Sequence, residues 1–216
     1  MGCSAAIHAL KLGDALCQST LNANVVIVCT ELCTLHFQKE NTIDNITSTI
    51  LFGDGCAAVL MQNNSNEKGI SINNFFSQVA FKGKADMAWN LSAKGFLMTL
   101  SGYVPNLVEQ DFDNLVNKAL QNSLLDKSEI THWCIHPGGK KILEAIEKSI
   151  LLPQGSLAHS YNVLKDYGNM SSPTILFVLQ NIFDELKGQR ENNKAKIFGA
   201  AFGPGLTMET FIASYD

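Results

Sequence analysis

Apolar residues follow two different spacings along this chain. Residues 4–16 and 105–124 carry apolar side chains at helical spacing, whereas residues 24–29 and 56–61 are short, continuous apolar runs. Continuous runs of this length are typical of strands that are buried on both faces. The pattern therefore predicts helices that alternate with buried strands, as in a layered α/β protein.

The alternation continues toward the C-terminus. Residues 202–205 (FGPG) separate the last two apolar runs and predict a hairpin turn. Residues 63–68 (NNSNEK) are polar and turn-rich, so we expect a linker there, which divides the chain into residues 1–62 and 63–216. The other predicted elements are strands over residues 70–81, 88–100 and 131–135, and helices over residues 140–150 and 171–186.

The composition predicts a chain that is mostly buried. Apolar residues make up 46% of the 216 residues and charged residues 17%, which suits a layered core or a subunit of an oligomer. The net charge of -4 gives no basic surface for nucleic acid, so nucleic-acid binding is disfavoured. No apolar run reaches the roughly 18 residues of a membrane span, and no signal peptide is recognisable.

The six cysteines show neither a CxxC pair nor paired spacing. Cys29 and Cys33 lie near His36, but no second ligand pair completes a metal site, so we expect no bound metal. Free thiols at this density indicate a reducing compartment. We therefore expect a cytoplasmic protein.

Three glycine-flanked turns carry chemically active side chains. Cys3 precedes the first predicted helix, His136 follows a predicted strand, and Asn169 follows Gly168 before a predicted helix. The free N–H groups of a helix N-terminus favour a thiolate, so we expect a lowered pKa for Cys3. A thiol, an imidazole and a carboxamide together can activate a sulfur nucleophile and stabilise an oxyanion.

Each of these residues also has an ordinary structural interpretation. A cysteine is commonly a small buried apolar residue, and a histidine at a strand end is commonly a turn or capping residue. An asparagine after a glycine suits a turn that needs a left-handed residue. Only the combination of the three, with the motifs around them, favours a catalytic site.

The motifs around these turns resemble those of one protein family. In this order, and over essentially all 216 residues, the chain is similar to type III polyketide synthases, the chalcone and stilbene synthase family. The motifs are Gly2-Cys3, Phe52-Gly53-Asp54-Gly55, His136-Pro137-Gly138-Gly139, Tyr167-Gly168-Asn169-Met170-Ser171-Ser172 and Phe202-Gly203-Pro204-Gly205-Leu206-Thr207.

The resemblance implies a thiolase-like fold, in which two similar halves form five αβαβα layers, usually in a homodimer. Family members have a long stretch before the nucleophile that this sequence lacks. We therefore expect an incomplete first half with open apolar surface, and we interpret the chain as the portion of such a protein from the nucleophile onward.

The resemblance also implies a reaction. Cys3 would carry the acyl group of an acyl-CoA starter, and then the growing polyketide, as a thioester. His136 would keep Cys3 as a thiolate and, with Asn169, hold the thioester carbonyl of malonyl-CoA during decarboxylation. The enolate would then attack the Cys3 acyl group in a Claisen condensation, and the product would cyclise to a chalcone, alkylpyrone or alkylresorcinol type. The CoA thioesters are substrates, and no cofactor is implied.

Further positions match the substrate cavity of the family. Phe52 matches the gatekeeper between the CoA tunnel and the cavity, and Met98 occupies the second gatekeeper position. Trp89 falls where plant members have a small residue, so residues 87–98 resemble bacterial members, including alkylpyrone and alkylresorcinol makers. The remaining cavity candidates are His36, Ser48, Ser171 and the cyclisation-loop residues Phe202, Gly203, Pro204 and Gly205.

A weaker match concerns the binding of CoA. Lys140 and Lys141 begin a predicted helix directly after Gly138 and Gly139. At this position they can meet CoA phosphates, although a solvated helix face accounts for them equally well.

Three other functions fit parts of the pattern. A ketosynthase III of fatty acid synthesis is a related enzyme, but the Pro-Gly-Gly run after His136 and the Phe-Gly-Pro-Gly loop argue against it. A non-catalytic fragment or interface subunit is compatible with the missing stretch. A papain-like cysteine hydrolase shares the Cys–His–Asn order, but the buried strands and the YGNMSS turn disfavour it.

Overall fold

The computed structural model is an α/β protein, as the apolar pattern predicts, but its helices and strands alternate only in part, since four strands and three helices follow one another directly. The structure describes residues 2–39, 41–64, 68–84, 86–93, 95–188 and 194–215. The helices are α1 (Ala5–Ser19), α2 (Ile43–Leu51), α3 (Val104–Gln121), α4 (Lys140–Ser149), α5 (Ala158–Tyr167) and α6 (Pro173–Gly188). The strands are β1 (Asn24–Glu31), β2 (Gly55–Gln62), β3 (Ile70–Val79), β4 (Met87–Ser92), β5 (Gly95–Leu100), β6 (His132–Ile135), β7 (Ala195–Gly203) and β8 (Thr207–Tyr215).

The chain contains two units of the same design, each a helix followed by two antiparallel strands. In the first unit, α1 leads into β1, which pairs with β2. In the second unit, α6 leads into β7, which pairs with β8. The helices α1 and α6 contact each other and the strands of both sheets, so they form a helical layer between the sheets.

The second unit belongs to a four-stranded sheet in the order β3-β8-β7-β6. β6 lies parallel to β7, and β3 lies antiparallel to β8. One face of this sheet packs on the middle helical layer, and the other packs on α3 and α4, so that both faces are buried. The burial of β7 and β8 along nearly their whole length follows from this double coverage.

The first sheet has one buried face and one open face. Ile27 and Cys29 of β1 are buried in the cluster that includes α1 and α6. Val26, Val28 and Leu60 alternate with the buried positions and are 65%, 61% and 57% exposed. Within the described residues, β1 and β2 pair only with each other. The open apolar surface that was expected for the first sheet is therefore confirmed, whereas the division at residue 62 stays a prediction.

Several details differ from the sequence-based expectation. Residues 88–100 form the β4–β5 hairpin instead of one strand, because a turn precedes Gly95, whose φ of +103° suits glycine. The helix α2 was not predicted, since it buries none of its residues and leaves Ile43 and Ile50 exposed. The helix α5 was also missed, because only Ser160 and Val163 are buried along it. Residues 65–67 of the expected linker lie outside the described residues.

Gly199 lies beneath a buried aromatic ring in the four-stranded sheet. It pairs with Phe211 in the β7–β8 ladder, and Phe211 is 1% exposed. A Cβ at Gly199 would lie 2.1 Å from Cε1 of Phe211. Only glycine leaves room for this ring.

We expect Gly199→Ala to lower the free energy of unfolding by about 2 kcal/mol or more, because overpacking a core typically costs about 1–3 kcal/mol. Urea unfolding followed by circular dichroism measures this change. Gly69→Ala is the matched control, since a Cβ at Gly69 meets nothing within 4 Å. The loss should be smaller in a Phe211→Leu background, and an equal loss in both backgrounds would contradict the steric explanation.

Candidate active site

Cys3 lies in a short 3₁₀ turn, Gly2–Ser4, that leads directly into α1. This turn packs on β7 and β8 of the four-stranded sheet. Gly2 has a φ of +48°, and a Cβ there would lie 2.8 Å from Cδ of Pro204. Glycine is therefore needed before the thiol for both its backbone conformation and its lack of a side chain.

His136 follows β6 and is held by the adjacent strand. Its backbone N–H donates to the carbonyl of Ala200 over 2.8 Å, which continues the β6–β7 pairing by one residue. The ring is buried, and neither ring nitrogen has a hydrogen-bond partner in the described structure. Burial lowers the pKa of His136 from its ordinary 6.5 to about 3, so the imidazole is neutral.

Asn169 connects the thiol turn to the histidine turn. Its Oδ1 accepts from the Cys3 thiol at 3.9 Å and from the Ser171 backbone N–H at 2.8 Å. Its Nδ2 lies 3.5 Å from the carbonyl oxygen of Gly138, two residues beyond His136. The structure thus brings together the three turns that the sequence singled out.

The electrostatics of the thiol differ from the sequence-based expectation. Burial raises the pKa of Cys3 from 9.0 to about 11, and the negative charge of Glu31 raises it further. The Ser171 side chain opposes this effect without overcoming it. The expected lowering of the pKa is therefore wrong for this structure, because desolvation outweighs the helix N-terminus. Cys3 and His136 are both neutral at rest.

Glu31 is a site residue that the sequence-based reasoning missed. It ends β1, and its Oε1 accepts from Oγ of Ser172 at 2.6 Å and from Oγ of Ser171 at 3.3 Å. The sequence feature that could have identified Glu31 is its position as an acidic residue at the end of the mostly apolar segment NVVIVCTE. A partly buried carboxylate needs such partners.

The candidate gatekeeper Phe52 lies beside Asn169. The two residues form a parallel β-bridge, in which the Asn169 N–H donates to Leu51 and the Gly53 N–H donates to Asn169. Met98 is near this position, since its sulfur lies 3.8 Å from Oγ of Ser48 in α2. The backbone of Trp89 pairs with Met98, but its side chain lies outside the described part of the chain.

The remaining candidates for the substrate cavity are spread around the turns of Cys3, Asn169 and Phe52. His36 is exposed on a turn that is tied to the Phe52 turn through the bonds of Thr34 to Asp54, at 2.8 and 2.7 Å. Phe202 is buried in the outer core, with its ring centroid 6.0 Å from that of Phe112. The other residues of the Phe202 loop lie around the thiol turn and the β4–β5 hairpin. Gly203 ends β7, Pro204 packs on Gly2, and the Gly205 N–H donates to the carbonyl of Met87.

The lysines proposed for CoA lie on the surface. Lys140 and Lys141 are both exposed, and Lys140 pairs with Glu144 at 3.5 Å on the same helix. Gly138 and Gly139 lie half-buried between these lysines and His136. A contact of these residues with CoA stays a prediction.

Two further properties concern the described residues only. They contain no group of three or more His, Cys, Asp or Glu side chains arranged to hold a metal ion. None of the helices that the structure describes is long and apolar enough to cross a membrane.

The raised pKa of Cys3 predicts slow alkylation at neutral pH. The rate of iodoacetamide modification at Cys3 should rise about tenfold per pH unit from pH 7 to pH 10, because the thiolate is the reactive form. Peptide mass spectrometry resolves Cys3 from the exposed Cys56, which reports the reactivity of the reagent. Glu31→Gln should speed the reaction at Cys3, since it removes a negative charge that raises the pKa. A plateau below pH 9 would contradict this prediction.

The lowered pKa of His136 predicts a loss of stability in acid. His136 binds a proton near pH 6.5 in the unfolded chain and only near pH 3 in the folded chain. The stability that its neutral ring contributes to the fold is therefore fully present above pH 6.5 and is lost as the pH falls toward 3. The loss is at most about 1.4 kcal/mol per pH unit. Urea unfolding between pH 7 and pH 4 should show a shallower pH dependence for His136→Gln. The same slope in both proteins would contradict this.

Two family profiles match the chain and overlap by a few residues. The profile described as chalcone and stilbene synthases, C-terminal domain, matches residues 72–214. The profile described as 3-oxoacyl-[acyl-carrier-protein (ACP)] synthase III matches residues 1–79.

Curated bacterial proteins are similar over nearly the whole chain. A putative chalcone synthase of Bacillus subtilis is 31% identical over 224 residues, which cover 100% of this chain and 60% of that protein. The alpha-pyrone synthesis polyketide synthase-like Pks18 of Mycobacterium tuberculosis is 29% identical, over 97% of this chain and 54% of its own length. The chain thus spans between half and two thirds of the length of these relatives.

Solved structures have the same fold. PKS-I from the brown alga Ectocarpus siliculosus superimposes with a TM-score of 0.91 at 25% identity, over 100% of this chain and 59% of that one. The 1,3,6,8-tetrahydroxynaphthalene synthase of Streptomyces coelicolor gives a TM-score of 0.91 at 26% identity, over 100% of this chain and 61% of that one. With its thiolase-like α/β fold and a profile match over residues 72–214, the chain belongs to the chalcone and stilbene synthase family, the type III polyketide synthases.

Proposed function

We propose that this chain carries the catalytic residues of a type III polyketide synthase, an acyltransferase that extends an acyl-CoA starter with malonyl-CoA. The observation that carries the proposal is the position of Asn169, which contacts the Cys3 thiol and also lies beside Gly138 of the histidine turn. A thiol and a carboxamide thus lie in contact, close to the turn of the buried His136. We expect the enzyme to work as a cytoplasmic homodimer.

The loading step requires a proton acceptor for the thiol. The neutral imidazole of His136 can accept the proton of Cys3, and the thiolate then attacks the carbonyl carbon of the acyl-CoA. The new carbon–sulfur bond forms as the bond to CoA breaks, and the CoA thiolate takes the proton back from His136. Burial disfavours the charged intermediate pair, so loading depends on contacts that a bound substrate makes.

The extension step requires donors for a developing enolate. Loss of CO2 from malonyl-CoA leaves negative charge on the thioester oxygen, and the Asn169 amide and a ring N–H of His136 can both donate to it. The enolate carbon then attacks the Cys3 acyl carbon, and the Cys3 thiolate leaves. Neither donor group has a strong partner that the substrate would have to displace.

The size of the product depends on the residues around Phe52. The Phe52 N–H donates to the carbonyl of Ser48 on α2, Met98 on β5 contacts the Ser48 hydroxyl, and Trp89 pairs with Met98. Because one relative is named for alpha-pyrone synthesis, an alkylpyrone is the first product to seek, with alkylresorcinol and chalcone types after it.

The reaction is tested by incubating the protein with radiolabelled malonyl-CoA and a panel of acyl-CoA starters. Cys3→Ala should abolish condensation, because it removes the acyl carrier. Asn169→Ala should slow the release of CO2 by about 10²–10³-fold, as expected for loss of one oxyanion donor. Cys56→Ala, an exposed thiol, is the matched control. Unchanged product formation by Cys3→Ala would contradict the proposal.

A ketosynthase that uses carrier-protein substrates is the second candidate. The match of residues 1–79 to the 3-oxoacyl-[ACP] synthase III profile favours it. A preference for malonyl-ACP over malonyl-CoA in the same CO2-release assay would decide for this candidate.

A non-catalytic role is the remaining alternative, since the chain spans about 60% of its relatives. Gel filtration and CoA binding test it. A stable dimer that binds no CoA would support this role.

A further inference from the structure

Glu31 ties the end of β1 to the start of α6. One oxygen of its carboxylate accepts hydrogen bonds from the hydroxyls of two adjacent residues, Ser172 at 2.6 Å and Ser171 at 3.3 Å. The two serines follow Glu31 by 140 and 141 positions in the sequence. This carboxylate is therefore a direct link between the first strand and the loop that carries Asn169.

Ser171 has an unusual backbone conformation. Its φ is +61°, in the left-handed region, which costs a residue with a side chain about 1–2 kcal/mol. Thr174 holds the carbonyl of Ser171 through its hydroxyl, at 2.8 Å, and Glu31 holds the Ser171 side chain. These contacts offset the cost of the left-handed conformation.

This conformation determines which way the Asn169 amide points. The Ser171 N–H donates to Oδ1 of Asn169 at 2.8 Å, so the oxygen end of the amide is occupied. The nitrogen end is then directed toward Gly138, where the contact of 3.5 Å is too long to be a strong hydrogen bond. The amide hydrogens thus remain available on the side of the histidine turn. A rotated amide would present an oxygen there, which cannot donate.

We propose that Glu31 is a positioning residue, which keeps Ser171 left-handed and thereby presents the N–H groups of Asn169 to the ligand. The hydrogen bonds that carry this proposal belong to the folded chain and can be tested without any substrate. Only the activity measurement below rests on the proposed function. Glu31 does not need to touch the substrate in this role.

The carboxylate has a second effect that must be separated from the first. Its charge raises the pKa of Cys3, so removing it changes the thiol as well as the loop. Gln at position 31 keeps an acceptor oxygen for the two serines and removes only the charge. Ala removes both, so the two substitutions distinguish positioning from charge.

The orientation of Asn169 is measured by NMR. In ¹⁵N-labelled protein, the side-chain amide of Asn169, assigned by its loss in Asn169→Asp, should shift or broaden in Glu31→Ala. Glu31→Gln should retain the wild-type signals, and Glu109→Ala on α3 is the control for a remote carboxylate. If Glu31→Ala does not fold, Ser171→Ala, which removes the hydroxyl that Glu31 holds, takes its place. Unchanged amide signals in the folded variant would overturn the proposal.

Turnover provides the second measurement. Glu31→Ala should slow malonyl-CoA decarboxylation at least about tenfold, less than outright loss of an oxyanion donor. Acylation of Cys3 by acyl-CoA should stay within about twofold or become faster, because the thiol pKa falls. Glu31→Gln should restore decarboxylation, and a Gln variant as slow as the Ala variant would overturn the proposal. If the wild type releases no CO2, the proposed function fails, and the NMR result alone decides the role of Glu31.

Discussion

The backbone of Asn169 is the point at which the two units of the molecule are joined next to the thiol. Its N–H donates to Leu51 at 2.9 Å, and its carbonyl accepts from Gly53 at 3.0 Å. Residues 51–53 end α2 and approach β2, whereas Asn169 lies between α5 and α6. Because backbone hydrogen bonds have little freedom of direction, this bridge sets both the place of Phe52 and the place of the Asn169 side chain. The contacts of the Asn169 side chain with Cys3, Ser171 and Gly138 depend on this bridge.

Burial has opposite consequences for the fold and for the chemistry. The middle helical layer and both faces of the second sheet are dry, which provides most of the stabilising apolar contact. The same burial leaves Cys3 protonated and His136 neutral, although the reaction proposed for this site must separate charge there. A carbonyl group that binds here can accept from His136 and Asn169, and no ion pair between Cys3 and His136 has to break first. Cys3 and His136 therefore ionise only when a bound substrate supplies contacts that stabilise their charges.

The apolar spacing predicted the strands of the second sheet and the helices that cover it, because each of these elements buries a regular pattern. It did not predict α2, whose isoleucines are exposed, or α5, which buries only two residues. The turns of Cys3, His136 and Asn169 were predicted from residue chemistry and from the family motifs. The pKa of Cys3 was not, because it depends on how deeply the turn lies under β7 and β8 and on a carboxylate 28 positions away in sequence, neither of which a local pattern contains.

The packing of Pro204 on Gly2 constrains how this site can diversify. No side chain lies between the loop and the backbone of the thiol turn, since a Cβ at Gly2 would lie 2.8 Å from Cδ of Pro204. A substitution that moves the loop therefore moves Cys3 as well. Ser48 and Met98 instead meet through flexible side chains at 3.8 Å, so their sizes can change while the nucleophile stays in place. Under the proposed function, new products are thus expected to evolve through changes at α2 and the β4–β5 hairpin, with the glycine–proline contact held constant.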